Sequence, residues 1–589
     1  MALHKSLIIA AVAFSSAFAA SIPLTGGTYD YIVVGAGTAG ATLAARIAED
    51  PTVTVALLEA GDAGVEDNPL AFIPGADVLG VGADPLDTTN YDWNFQTAPQ
   101  AGAGNHEIHY ARGKGVGGSS QRNYMAYQRP TSDSFEYWTN ATNGSTSPGW
   151  SWEDVYPYFT KSVVITHPDN DLRGAEYTPS YNPAAYPETD KTKAPLPLAF
   201  ANYVYPYTAA LQGAFNELQY PNASDFSSGT LNGAQYQPST IDHSNGHRAS
   251  SQYFVNNAKS LTNLVVITNA MASKINFDSN KTAVSVTYTN LLGLVSVTIG
   301  CKREVILSAG AFQSPQLIGH ETQLLNLLLS GGDFLFNNTG SLTNPIVDFL
   351  GWQRVNETFI SANPDLEILG TYPPLWPHIE YLGAGALVGN FTSPFIENAS
   401  QAAVNNFYVS LLGGLVAPQS RGTVTLASAD PSALPIINPN WLTSPTDQTL
   451  AIEVYRKIRR IFNTPAFKAI RVNNEEYFPG LDASSDSEIL AVIEGSLMTL
   501  WHAACTCAMQ PLDNNGVLDP YLRVYGVTGV RVVDASSFPS LLPGHPQSVV
   551  YMLAERAADL LKLARGAAIT TTPRTPPTGD SGLPYSGPN

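Results

Sequence analysis

Apolar and polar positions along this chain follow two rhythms, one with the period of buried strands and one with the period of helices. Residues 31–34 form a short unbroken apolar run, as a strand covered on both faces requires. A glycine-rich turn follows, Gly35-Ala36-Gly37-Thr38-Ala39-Gly40, then a helical pattern, then a second run at 53–58 that ends at Glu59. The pattern predicts strand, turn, helix, strand. Four more strands are predicted at 264–268, 283–289, 295–299 and 304–307, followed by a helix over 310–317. A helical stretch covers 447–462, and a strand at 530–533 runs into Asp534. From Pro546 a last helix places Val549, Val550, Leu553, Ala557, Leu560 and Leu561 on one face. The stretches between these blocks, from about 135 to 245 and 320 to 490, carry few long periodic runs.

The expected fold class is therefore α/β (α+β). A discontinuous Rossmann-like nucleotide-binding domain takes residues 27–134, 246–320 and 491–565, and a substrate-binding domain takes the insertions 135–245 and 321–490. A ligand cleft is expected between the two. The tail at 566–589 is rich in Thr, Pro and Gly and reads as disordered.

The spacing in the first unit has separable physical meanings. Gly35 allows a tight turn, Gly37 leaves room for a pyrophosphate against the backbone, and Gly40 lets the helix pack close to the strand. The pyrophosphate would sit on free N–H groups at the positive end of the helix dipole. Glu59 ends the second strand, where a carboxylate can accept bonds from the hydroxyls of a ribose without a 2′-phosphate. A dinucleotide cofactor, and hence redox chemistry, is the implication.

Composition narrows the setting. With 589 residues more than one structural unit is expected, and 44% hydrophobic residues make them globular. The 49 acidic and 30 basic residues leave a net charge of −19, and no run of Lys and Arg marks a nucleic-acid partner. At the start, Lys5 precedes an apolar run over 7–18 that is too short to span a bilayer, and Ala17-Phe18-Ala19 fits a cleavage site. Residues 1–19 thus read as a signal peptide. Sequons at Asn140, Asn143, Asn222, Asn280, Asn337, Asn356, Asn390 and Asn398 agree with a secreted glycoprotein. Cys301, Cys505 and Cys507 are too few for a disulfide scaffold and wrongly spaced for zinc; no metal site is expected.

Two histidines stand near predicted element ends, His502 in Trp-His-Ala-Ala-Cys and His545 just before the last helix. An imidazole titrates near neutral pH and can take a proton from an alcohol. Four motifs then carry a family resemblance over residues 27–563: the GAGTAG unit with Glu59, RGKGVGGSSQRNYM at 112–125, GAFQSP at 310–315, and the segment 532–561 beginning VVDASSF. The chain resembles the glucose–methanol–choline (GMC) oxidoreductases, in the branch of secreted fungal enzymes similar to aryl-alcohol oxidase and patulin synthase. The resemblance implies FAD. Gly35, Gly37, Thr38, Ala39 and Gly40 match the pyrophosphate cradle, and Glu59 and Ala60 the ribose side. Arg112, Gly117, Gly118, Ser119, Asn123, Tyr124, Met125 and Ala126 match the loop along the flavin. Asp534, Ala535, Pro546 and Gln547 match the C-terminal flavin contacts. His502 matches the base that removes the hydroxyl proton as hydride moves to flavin N5, and His545 the residue that holds the alcohol oxygen. Tyr110 stands where members with covalent flavin have histidine, which implies a noncovalent cofactor.

The implied activity is oxidation of an alcohol, aromatic or from secondary metabolism, to an aldehyde or ketone, with oxygen or another electron acceptor. Three departures accompany the match. Arg122 replaces an apolar residue; Ala503 and Cys505 replace a proline and a glycine; and after Ile318 a stretch normally present is absent. The alternatives are a non-redox FAD-retaining member, such as a cyclase or lyase, and a member impaired by that absence.

Overall fold

The computed structural model describes residues 26–63, 68–144, 148–290, 295–319, 343–393, 408–472, 476–567, 569 and 571–577. The signal-peptide stretch, the departure at 320–342, Asn337, Asn398 and the end of the tail lie outside them.

A seven-stranded sheet forms the centre. Thr28–Val34 lies between Val55–Leu58 and Val295–Leu307, parallel to both, and Leu264–Ile267 extends the sheet beyond Val55–Leu58. The continuous apolar runs are explained by this position: Ile32, Val33, Val55, Ala56 and Leu57 are all fully buried. The two strands expected at 295–299 and 304–307 are one strand of 13 residues. Its first half pairs antiparallel with Ala283–Asn290, and its second half pairs parallel with Thr28–Val34 and Val530–Val532. The polar segment Cys301-Lys302-Arg303 marks this change of partners rather than a turn.

The helix Thr38–Ala48 packs against the last helix, Gln547–Ala564. Ala39, Ala41, Ala44, Ala45 and Ala48 keep its surface low, so both helices are almost wholly buried. The contact is pinned by Arg46, whose Nη2 donates to Glu555 Oε1 at 2.9 Å, while Ser162 Oγ donates to the same oxygen at 2.9 Å.

A second sheet came from residues that showed no clear period. Ser410–Leu415, Ile379–Ala384, Phe349–Gln353 and Gly233–Tyr236 pair in that order, all antiparallel. Helix Pro445–Phe462 covers Ser410–Leu415; a Cβ on Gly413 would stand 2.1 Å from Val454 Cγ1, so this close approach requires glycine. Among the described residues no helix is long and apolar enough to cross a membrane.

Candidate active site

The turn after the first strand is shaped by its glycines. Gly35 has φ 98°, and a Cβ there would meet Ser308 O at 2.5 Å. A Cβ on Gly40 would meet Gly35 O at 1.9 Å, which confirms its packing role. The 112–126 loop crosses this turn directly. Gly117 donates its N–H to Ala36 O at 2.8 Å, and a Cβ on Gly118 would stand 2.6 Å from Gly37 Cα. Two loops distant in sequence thus meet backbone to backbone.

Glu59 locks them. Its Oε2 accepts from Ala36 N at 2.8 Å, and its Oε1 accepts from Gly61 N at 2.8 Å and Gly115 N at 3.0 Å. Burial pushes its carboxyl above the ordinary range, while the three amides and Lys114 pull it back. Asp534 plays the matching part on the other side. Its Oδ2 accepts from Gly310 N at 2.9 Å and Ser314 Oγ at 2.6 Å, and its Oδ1 from Ser536 N at 2.8 Å. It ties the Val530–Val532 strand end to the helix Gly310–Gly319.

These segments border one cavity of about 1890 Å³. That exceeds the roughly 300–1,000 Å³ of single-ligand pockets and is large enough for a dinucleotide with a substrate beside it. Gly35, Gly37, Thr38, Ala39, Glu59 and Ala60 line one end. Arg112, Gly118, Ser119, Asn123, Tyr124 and Ala126 line a side wall, with Asp534, Ala535, Pro546 and Gln547. Gly40 and Gly117 shape the wall from behind, and Met125 points away into a small core with Ala199 and Ile241. Helices Thr38–Ala48 and Gln547–Ala564 both start at this wall with no side-chain cap, which leaves first-turn N–H groups for an anionic ligand. Asn123 Nδ2 donates to Gln547 Oε1 at 2.8 Å, joining the side wall to the last helix. The paired glycines, open helix starts and volume fit a dinucleotide flavin.

Both histidines line the same cavity, their ring centroids 4.9 Å apart and their planes at 76°. His502 sits on a tight loop. Trp501 and Cys505 have φ of 58° and 68°, so Cys505 takes the left-handed conformation that the usual glycine would take freely. Cys505 N donates to Ala535 O at 3.0 Å, Cys507 N to Ser536 O at 2.8 Å, and Ala503 N to the Tyr110 hydroxyl at 3.2 Å. Burial lowers His502 well below the ordinary histidine range, and the neighbouring His545 and Arg112 add to this. Its ring is therefore kept neutral. Arg112 stacks over Tyr110 and Phe312 at 5.2 and 5.4 Å.

His545 differs in having a fixed partner. Its Nε2 lies 2.8 Å from Oε1 of Glu380, a buried residue of the second sheet that also lines the cavity. Sequence reasoning missed Glu380, since an isolated acid within an apolar strand carries no spacing signal. Its one sign was the burial of a charge inside Ile-Glu-Tyr-Leu, which demands a partner. Arg122, which also lines the cavity, is held by several partners. Its Nη2 donates to Asp92 Oδ2 at 2.8 Å and its Nη1 to Leu79 O at 3.1 Å and Thr89 Oγ1 at 3.0 Å.

Comparison with known proteins agrees with this arrangement. Residues 29–320 match the N-terminal and residues 418–554 the C-terminal profile of GMC oxidoreductases. The chain is a GMC oxidoreductase. Patulin synthase of Aspergillus clavatus is 37% identical over 584 residues, covering 90% of this chain and 91% of that protein. An FAD-dependent oxidoreductase from Chaetomium thermophilum shares the fold with a TM-score of 0.76 and 25% identity, over 92% of this chain and all of the other. A fungal aryl-alcohol oxidase superimposes with a TM-score of 0.72 at 22% identity, over 91% and 99% of the two chains. This GMC oxidoreductase is an FAD-dependent enzyme.

Proposed function

We propose that the chain oxidises a primary alcohol, aromatic or derived from secondary metabolism, with His502 as base and His545 as the group that holds the substrate oxygen. One observation carries the reading: the two imidazoles face each other 4.9 Å apart in the cavity that the glycine cradle also borders. The depressed His502 is ready to accept the hydroxyl proton. Glu380 fixes the ring of His545 and so the direction from which the alcohol oxygen is held. FAD, when bound, supplies the hydride acceptor. Gly35, Gly37, Thr38, Ala39, Glu59 and Ala60 would hold its nucleotide end, and Arg112, Gly118, Ser119, Asn123, Tyr124, Ala126, Asp534, Ala535, Pro546 and Gln547 its flavin end.

The cofactor is noncovalent in this reading, because Tyr110 stands where members that bind flavin covalently have histidine. Oxygen or another acceptor reoxidises it. The domain split proposed at 27–134, 246–320 and 491–565 against 135–245 and 321–490 assigns one sheet largely to each part. Secretion and glycosylation gain support from Asn140, Asn143, Asn222, Asn280 and Asn390, all exposed.

The test is the visible spectrum of the purified protein before and after a panel of alcohols is added without oxygen. Bleaching of a yellow protein is expected, and its loss in His502→Ala with flavin still bound. A yellow protein that no alcohol bleaches would overturn the reading.

A further inference from the structure

Arg248 belongs to the short strand His247–Arg248, which pairs with Ile241–Asp242, and it does not line the cavity. Its side chain is nevertheless buried and reaches the flavin-side loop from behind. Nε donates to Ala71 O at 2.7 Å, and Nη1 donates to Asn123 O and, at 2.8 Å, to Asn123 Oδ1. The loop turns sharply at this point. Met125 has φ 56°, and its N–H donates to the same Asn123 Oδ1 at 3.1 Å. A left-handed residue other than glycine persists only where its surroundings over-determine it. Here Thr240 N also donates to Met125 O at 2.9 Å.

The chemistry of Arg248 adds direction to this hold. Asn and Gln side chains carry one oxygen and one NH2 group and can turn either way, whereas a guanidinium only donates. Burial lowers Arg248 to about 10, so it stays charged and donor-only at neutral pH. Facing it, Asn123 must present Oδ1. Its Nδ2 then points the other way and donates to Gln547 Oε1 at 2.8 Å. Gln547 in turn presents Nε2 to Ala126 O at 3.1 Å. One donor-only group thus sets the direction of two amides, and these join the flavin-side loop to the first residue of the last helix. Turning Asn123 would set donor against donor at Arg248, and turning Gln547 would set oxygen against oxygen at Ala126.

We propose that Arg248 is a positioning residue for the flavin end of the site: by fixing the polarity of the Asn123–Gln547 chain, it holds the flavin-side loop against the last helix in the form that retains FAD. FAD binding by this family is all that this assignment requires, and the alcohol-oxidation reading is not involved.

Release of FAD from the diluted holoenzyme, followed by recovery of flavin fluorescence, tests it. Arg248→Met, which has no donor, should release FAD roughly 10-fold faster. Arg248→Lys, also donor-only, should stay near the parent rate. Gln547→Leu should speed release too, and in that background Arg248→Met should add only about 2-fold or less, because the chain it directs is gone. A role confined to stability would multiply the two effects in full. Full multiplication, parent-rate release from Arg248→Met, or a Lys variant as fast as the Met variant each overturns the assignment. Where Arg248→Met does not fold with FAD, Arg248→Gln takes its place. Gln carries an oxygen as well as a donor and no longer dictates direction, so it should release FAD faster than Arg248→Lys; equal rates overturn the assignment.

Discussion

His545 Nε2 lies 2.8 Å from Glu380 Oε1, so a residue of the nucleotide-side closing segment is oriented by a strand of the other sheet, 165 positions away. Glu380→Ala should release the ring and leave one side of the site unsatisfied, lowering kcat/KM by roughly 10- to 100-fold. FAD content should stay at the parent level. Glu380→Gln, which retains an acceptor oxygen, should recover part of the loss. Steady-state kinetics with flavin absorbance checks both, and unaltered kinetics in Glu380→Ala would refute the coupling.

The depressed titration of His502 has a direct pH consequence. A base held below the ordinary value of about 6.5 stays unprotonated into mildly acidic solution. Substrate-driven flavin reduction should therefore remain near maximal into mildly acidic solution, falling only as pH drops through the lowered value. Stopped-flow reduction across pH without oxygen measures this. An acid limb centred above about 6.5 would contradict it.

Glu59 binds three backbone amides from three segments. Glu59→Ala leaves them buried without an acceptor, at about 1–3 kcal/mol each. The expected result is loss of flavin on gel filtration, with the released cofactor detected by fluorescence, and a lower melting temperature.

Arg122 departs from the usual apolar residue but belongs to a buried network with Asp92, and His109 Nε2 lies 3.6 Å from the same carboxylate oxygen. Arg122→Leu, which restores the usual residue type, should destabilise by about 3–5 kcal/mol because the buried Asp92 loses its guanidinium partner. Adding Asp92→Asn should return much of the loss. Thermal unfolding of the single and double variants decides this.

The first strand–turn–helix–strand unit was legible because its constraints are local. Gly35 needs a positive φ, Gly40 needs contact with Gly35, and buried parallel strands need continuous apolar runs. The histidine pair was legible through motif resemblance rather than through any spacing, since 502 and 545 meet only in space. The second sheet was not legible. Strands such as Gly233–Tyr236 and Ser410–Leu415 carry glycines and buried polar residues where helices press closely, which erases the two-residue alternation. Glu380 was hidden for the same reason, and so was the tie between Tyr110 and Ala503. Both depend on partners that the chain's order does not announce.

The change of partners along Val295–Leu307 also bears on how the chain is made. Thr28–Val34 leaves the ribosome first, but its neighbour Val295–Leu307 comes much later, and Val530–Val532, which completes that neighbour's second half, comes last. At about 5–20 residues per second the wait from first strand to last is roughly 25–100 s. During that interval the edge of Thr28–Val34 that Val295–Leu307 will cover stays open in a growing chain.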